Sequence, residues 1–337
     1  MPSLPWPGVV FARLGMSLAV AWAIVLAFRA IQSASGRVRG TLTGAAVLGL
    51  ALAPVLVPEG FPGARSLAVF VCFDAIFRII DVTRRAGEDP AIRCGLVNDL
   101  KFFNPFPVLL VTAEERAASE RVTSPIAPAV ARSVVGLILF LLAWGALLRM
   151  QQSAVLRSSF VLDHVVKTAL FAVTLEIIGL LAAGLERLAG FDPPRLMDGI
   201  LLARTPAEFW LRYNTRVHMW LVRNVFRRVG AGRHPVRAVV IVFFVSAVLH
   251  EAAFDIALSR VDGYQFVFFM LQIPAVLVSP ALERSAKRGV AAQVLAHALT
   301  VVWFAVTTVF FFRGIGEIFP FFYSAPLPGP LFGQWRF

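Results

Sequence analysis

The residues of this chain that can do chemistry gather between positions 205 and 255, in TPAEFWLRYNTRVHMWLVRNVF, the charged hinge RRVGAGRHPVR and AVVIVFFVSAVLHEAAFD. His250 and Glu251 fall in the middle of the last, hydrophobic stretch. Ionisable groups deep in hydrocarbon are costly and mark functional sites by default. His250 lies 13 residues beyond Arg237, which on a straight helix is about 20 Å, near or past the middle of a bilayer. A neutral imidazole there can take a proton from a hydroxyl once bulk water is excluded. Glu251 sits about 100° further around the helix, so it need not meet the same ring. It is a candidate to order the site or to answer a positive group on a neighbouring helix. A bland role stays open for the histidine, which can also bridge helices by hydrogen bonds.

The stretch before the hinge reads as one long amphipathic helix lying on a membrane. Thr205-Pro206-Ala207-Glu208 is a capping box with proline at the first helical position, and Gly230 and Gly232 supply the stop. At 100° per residue, Arg212, Arg216, Arg223 and Arg227 form a basic stripe within about 60° of one another, expected to face water and lipid phosphate. Trp210, Asn214, Val217, His218, Leu221 and Val225 take the opposite face, with Asn214 and His218 one turn apart. Asn214 and His218 serve either as core polar groups that fix packing or as site residues. Trp210 and the other aromatics fit interfacial anchors.

Metal chemistry finds no support. His-Glu opens the zinc-binding helix of many proteases, but the second ligand would fall at position 254, which is Phe254. His297, with Gln293 one turn before it, could face the same cavity, whereas His164 and His234 at span edges or in loops are expected to be solvated. Gln272 is an uncharged polar group within a span and needs a partner, for which a substrate hydroxyl is a candidate. A Gly-rich phosphate loop, a Gly-x-Ser-x-Gly elbow and an Asp-rich motif are all absent, which argues against a kinase, a serine esterase or an Asp-rich prenyltransferase.

The elements that must position these residues are membrane spans. At 58% hydrophobic and 15% charged residues, the chain is too apolar for a soluble globular protein. A net charge of +12 would suit nucleic acid, but the basic residues lie between hydrophobic segments, where topology and anionic headgroups explain them. Two cysteines, Cys72 and Cys94, provide neither a disulfide framework nor a metal site. Eight spans are expected, at 8–30, 41–58, 64–81, 130–149, 160–185, 236–258, 264–282 and 291–312. The third is short and carries Asp74 and Arg78 at i, i+4; the fifth holds Lys167 and Glu176. The first is too long for a signal peptide and is expected to stay in the mature protein. NDLKFFNPFPVLLV reads as an interfacial or re-entrant segment, and the aromatic tail as lying at the far headgroup layer. Loops 29–40, 82–132, 186–237 and 283–288 hold 23 of the 32 Lys and Arg, which puts them on the cytoplasmic side and both termini on the other. Arginine outnumbers lysine 29 to 3, suggesting a GC-rich bacterial genome and hence a bacterial cytoplasmic membrane.

Phe209-Trp210, Tyr213-Asn214, Val217-His218-x-Trp220, Arg223, Ser246-Ala247-x-x-His250-Glu251 and Gln272-Ile273-Pro274, taken in order, resemble the membrane-bound O-acyltransferase superfamily, in particular its diacylglycerol and sterol O-acyltransferase branch. The approach FDPPRLMDGILLARTPAEFW is also similar to the wax synthase domain. The likeness covers residues 190–275; the spans before 185 match only as hydrophobic segments, and 276–337 adds the last span and the aromatic tail to a single membrane domain. The resemblance implies an all-α polytopic membrane fold enclosing a tunnel, with acyl-CoA entering from the cytoplasm and a lipid alcohol arriving laterally. It implies His250 as catalytic base and Asn214 as the group that positions or polarises the thioester. Glu251, Gln272, His218, Trp210, Tyr213, Trp220 and Arg223 would bind substrate. It requires no cofactor besides acyl-CoA as co-substrate and no metal, and it admits a homodimer among membrane lipids. Beside an O-acyltransferase making a wax, steryl or glycerol ester stand two alternatives. One is a transporter or flippase that uses His250, Glu251, Lys167 and Glu176; the other is a scaffold whose buried polar groups only lock packing. The absence of internal repeats counts against the transporter.

Overall fold

The computed structural model describes residues 7–32, 36–85, 125–326, 329 and 335–336. Eleven α-helices run through them: α1 (Pro7–Gln32), α2 (Gly36–Leu52), α3 (Pro62–Arg85), α4 (Ile126–Met150), α5 (Ala154–Ser158), α6 (Phe160–Leu188), α7 (Pro206–Arg212), α8 (Thr215–Leu221), α9 (Pro235–Leu258), α10 (Tyr264–Ala286) and α11 (Val290–Ile318). Proline occupies the first position of α1, α3, α7 and α9, where its fixed φ suits a helix and its missing N–H costs nothing. A two-residue antiparallel ladder, Arg260–Val261 with Trp335–Arg336, is the one β feature among the described residues.

Among the described residues, seven segments are long and apolar enough to cross a membrane: α1, α2 with the turn after it, α4, α6, α9, α10 and α11. The expected third span corresponds to α3, whose 24 residues reach about 36 Å, enough to cross. Its charges hold it below the hydropathy of the others, and two of them are paired as its spacing predicts, Arg78 Nε with Asp74 at 2.7 Å. The expected interfacial segment at 98–111 lies outside the described residues.

The chain, read above as one domain, packs as two compact units. The first holds α1 to α3, residues 252–261 and the C-terminal strand. Phe28, Leu50, Cys72 and Ile79 form its core. Buried Arg65 fastens the turn before α3 by donating from Nε to the Val57 carbonyl (2.8 Å) and from Nη1 to that of Ile256 (3.3 Å).

The second unit holds α4 to α8, α9 as far as Glu251, α10 and α11. Within it α4 and α6 touch backbone to backbone. A Cβ on Gly184 would meet Ser133 Oγ at 2.5 Å and its backbone N at 2.6 Å, and one on Gly136 would meet Leu181 Cα at 2.8 Å. Small residues at such crossings let dispersion act over short range where no hydrophobic effect drives helices together. The segment after α11 is clipped to α6: Asp163 accepts from the Ser324 and Ala325 N–H groups (2.6 and 3.1 Å), and Lys167 lies 3.2 Å from Asp163. His164 belongs to the same clip. Expected to be solvated, it is buried at 4% exposure and bonds the Tyr323 hydroxyl and the Ala305 carbonyl, each at 2.7 Å. The second span residue of α6, Glu176, accepts from the Ile200 N–H.

The single amphipathic helix of the sequence reading does not form. It is broken at Asn214 into α7 and α8, and Val222–Phe226 continues as a π-helical turn. The basic stripe breaks with it: Arg216 is 1% exposed and pairs both nitrogens with Glu186 of α6 at 2.6 and 2.7 Å. Arg212 pairs instead with Glu208, 2.8 Å away and one turn back.

Two stability tests follow from this packing. Gly184→Leu should cost about 1–3 kcal/mol or block folding, whereas Gly145→Leu should melt as wild type because nothing lies within 4 Å of a Cβ at Gly145. Thermal melting of detergent-purified protein checks both, and equal losses would contradict the close contact. Arg216→Met leaves the Glu186 carboxylate buried without its cation and should cost about 3–5 kcal/mol, most of it regained in Glu186→Met/Arg216→Met. A double variant no more stable than Arg216→Met alone would contradict the pairing.

Candidate functional site

His250 lies near the C-terminal end of α9, half-buried. Its Nδ1 is 2.8 Å from the carbonyl of Ser246, one turn back. A carbonyl only accepts, so Nδ1 carries the proton and Nε2 presents its lone pair. The ring of Phe269 packs against the imidazole at 4.0 Å between centroids, with the planes 34° apart. Phe269, on α10, also lies 5.6 Å from the indole of Trp210, which stands edge-on to Phe243 of α9 at 5.5 Å. Trp210 and His250 therefore both contact the ring of Phe269, within a largely aromatic layer.

Asn214 marks the break between α7 and α8. It takes a left-handed conformation (φ 41°, ψ 62°), which asparagine tolerates better than most residues. The segment before α7 holds this break in place. Thr215 N–H donates to the Leu196 carbonyl (3.0 Å), Asp198 N–H to that of Arg212 (3.1 Å), and Asn214 N–H points at Met197 Sδ (3.4 Å). The Asn214 side-chain oxygen accepts from the Val217 N–H at 3.3 Å and caps α8. Its amide NH₂ thus remains the part of the side chain suited to polarising a carbonyl.

The N-terminus of α7 is also built from polar side chains. Thr205 accepts from Glu208 N–H (3.2 Å) as the capping box requires, while the Glu208 carboxylate reaches one residue beyond it, to the N–H of Arg204 (2.8 Å). Partial burial works to raise the Glu208 carboxyl, but this N–H and the guanidinium groups of Arg212 and Arg204 hold it below its ordinary value. His297 Nδ1 donates to the Ala203 carbonyl (2.8 Å) and Thr300 to that of Arg204 (3.0 Å), so α11 anchors the approach to α7. His297 is a clamp at this point and does not join the ring cluster through the nitrogen so bonded.

Two other expected substrate groups hold helices together. The Glu251 carboxylate accepts from the Gly263 and Phe266 N–H groups, the latter at 2.8 Å, and so caps α10 at the positive end of its dipole. Its partners are backbone N–H groups at a helix end, not a charged side chain. Gln272, fully buried, donates to the Phe268 carbonyl (3.0 Å) and Thr307 Oγ1 (3.2 Å) and accepts from Trp303 Nε1 (3.1 Å), bridging α10 to α11.

The remaining expected residues lie along α7 and α8 and the turn after them. Tyr213 stacks on Phe209 at 5.6 Å, and burial raises its hydroxyl above the ordinary value. Burial lowers the His218 imidazole below its usual range, which keeps it neutral. Trp220 is buried, and Arg223 is half-buried in the π-helical turn. The sequence reading missed Phe243, Phe268 and Phe269, which carry the aromatic layer. The available signal was the run FVFFM one helix beyond His250, read there only as span.

Comparison with known proteins covers the same residues. The model of the MBOAT, membrane-bound O-acyltransferase family, matches residues 120–311. Over 84 residues the chain is 36% identical to "Diacylglycerol O-acyltransferase 1-1" of Oryza sativa subsp. japonica, covering 24% of this chain and 15% of that protein. It is 30% identical over 94 residues to "Diacylglycerol O-acyltransferase 1" of Corylus americana (28% and 17%) and 29% over 82 residues to that of Arabidopsis thaliana (24% and 16%). The matched stretches thus span less than a fifth of these relatives, whereas the family model runs from before α4 into α11 and takes in every residue of the site. This multi-pass membrane chain belongs to the membrane-bound O-acyltransferase family.

Proposed function

We propose that the protein transfers a fatty acyl group from acyl-CoA to the hydroxyl of a lipid alcohol, with His250 as general base and without an acyl-enzyme. The observation that carries this reading is the His250 Nδ1 bond to the Ser246 carbonyl, which fixes the tautomer with Nε2 unprotonated. Nε2 takes the hydroxyl proton as the oxygen attacks the thioester carbonyl carbon. The C–O bond forms, the carbonyl electrons move onto oxygen, and their return breaks the C–S bond. The departing thiolate then takes the proton from His250. The Asn214 NH₂ is suited to the developing oxyanion. The aromatic layer keeps water away from a thioester it would otherwise hydrolyse.

Three relatives named as diacylglycerol O-acyltransferases support a neutral-lipid acceptor such as diacylglycerol; long-chain alcohols and sterols share its hydroxyl chemistry. The basic loop at 186–237 suits a cytoplasmic entry for acyl-CoA. The plant origin of the relatives lends no support to the bacterial membrane suggested by arginine usage. A proton or substrate pathway is less well served. Lys167 and Glu176, which it would use, are tied into local clips with Asp163, Phe322 and Ile200.

Incubating purified protein with radiolabelled oleoyl-CoA and dioleoylglycerol, hexadecanol or cholesterol tests this reading. His250→Ala should lower ester formation by at least about 10²-fold while eluting and melting as a folded protein, and unchanged turnover removes His250 from the mechanism. Asn214→Asp separates capping from chemistry. It keeps an oxygen for the Val217 N–H and tolerates the left-handed backbone, but loses the NH₂ donor, so melting should hold while turnover falls about 10²-fold. Full turnover in this variant would leave Asn214 a cap alone.

A further inference from the structure

Trp210 Nε1 is completely enclosed, yet its N–H has no hydrogen-bond partner. A buried indole normally finds one, and leaving such a donor unpaired costs about 1–3 kcal/mol. The contrast lies one helix away, where the Trp303 indole donates to Gln272 Oε1 at 3.1 Å. The orphan sits in a particular place. The Trp210 ring stands edge-on to Phe209, Tyr213 and Phe243 at 5.4 to 5.6 Å and lies 5.6 Å from Phe269, the ring that packs on His250. A free donor is thus held in the apolar layer that reaches the base through Phe269, where one hydrogen bond to a forming anion is worth most.

Resting on the acyl-transfer reading above, we propose that Trp210 Nε1–H donates to the carbonyl oxygen of the bound thioester and stabilises the oxyanion formed when the alcohol attacks. Other polar atoms of this chemistry cannot donate to that oxygen. Nδ1 of the imidazole is held by Ser246, Nε2 is an acceptor, and the Asn214 oxygen caps α8. The thioester oxygen needs donors, and the layer offers the Trp210 N–H. The rings around the indole close it off, so one of them must turn to admit the acyl group. Trp210 also lies in α7 one turn before Asn214 on the anchored segment, so both donors ride on the same fixed element.

Trp210→Phe keeps an aromatic wall and deletes the N–H, while benzothienylalanine at position 210 keeps the indole shape with sulfur in place of N–H. Both are assayed as the 337-residue chain with oleoyl-CoA and dioleoylglycerol or hexadecanol. Loss of one oxyanion donor should lower kcat by about 10²-fold and leave KM for oleoyl-CoA within about twofold. The benzothienyl protein carries the test if Trp210→Phe fails to fold. A kcat within about threefold of wild type, or a raised KM at unchanged kcat, overturns the proposal and makes Trp210 a wall for the acyl chain. A wild-type protein that esterifies none of the alcohols sinks the acyl-transfer reading and this inference with it; an active wild type with active variants sinks this inference alone.

Discussion

An imidazole inside an apolar helix must give its N–H to something, and His250 gives it to the carbonyl of Ser246, 2.8 Å away on the preceding turn. That carbonyl already belongs to the helix, so the arrangement needs no second charged residue and adds no further ion to the bilayer. The bond fixes which nitrogen is basic and how the ring is turned, and the flat face of Phe269 stops it from turning back. Every chemical statement about this protein depends on that pair of contacts. They keep a neutral base aimed with its lone pair outward, in surroundings where a charged one would be expensive.

Several other buried polar groups follow the same economy, in that a partner on a packed element satisfies each and the satisfaction sets a helix position. Glu251 meets the N–H groups that begin α10, a helix end otherwise left with unsatisfied donors. Glu186 and Arg216 hold α8 to α6, so the left-handed break at Asn214 is braced on one side by an ion pair and on the other by residues 196–198. Asp163, Lys167 and His164 bind the segment after α11. The Trp210 indole N–H differs from these groups in having no hydrogen-bond partner, and it sits in the aromatic layer that reaches His250.

Much of this was legible in the sequence. Length and hydropathy placed the spans to within a few residues, Thr205 and Pro206 announced the start of α7, and the i, i+4 spacing of Asp74 and Arg78 gave their ion pair. His250 stands out in the sequence because a histidine in a hydrophobic run is rare and costly. What escaped was anything that depends on a change of helical phase. The reading turned residues 205–229 by a constant 100°, and one left-handed residue at Asn214 resets that angle, so Arg216 turns inward to Glu186 although it was assigned to water. His164 was placed in solvent because the Tyr323 that covers it lies 159 residues away, beyond any local pattern. The same reasoning missed Phe269: the residues that complete the layer around His250 come from another helix and look, one at a time, like ordinary span.

The most direct measurement is an experimental structure of the protein with a thioether analogue of oleoyl-CoA bound, in which a CH₂ stands where the thioester carbonyl would be. The account predicts the carbon attached to sulfur beside His250, Nε2 facing the space from which an alcohol would approach it, and Nδ1 still on Ser246. An analogue seated away from α9, or an imidazole whose Nε2 is engaged by protein while Nδ1 faces the ligand, would contradict it.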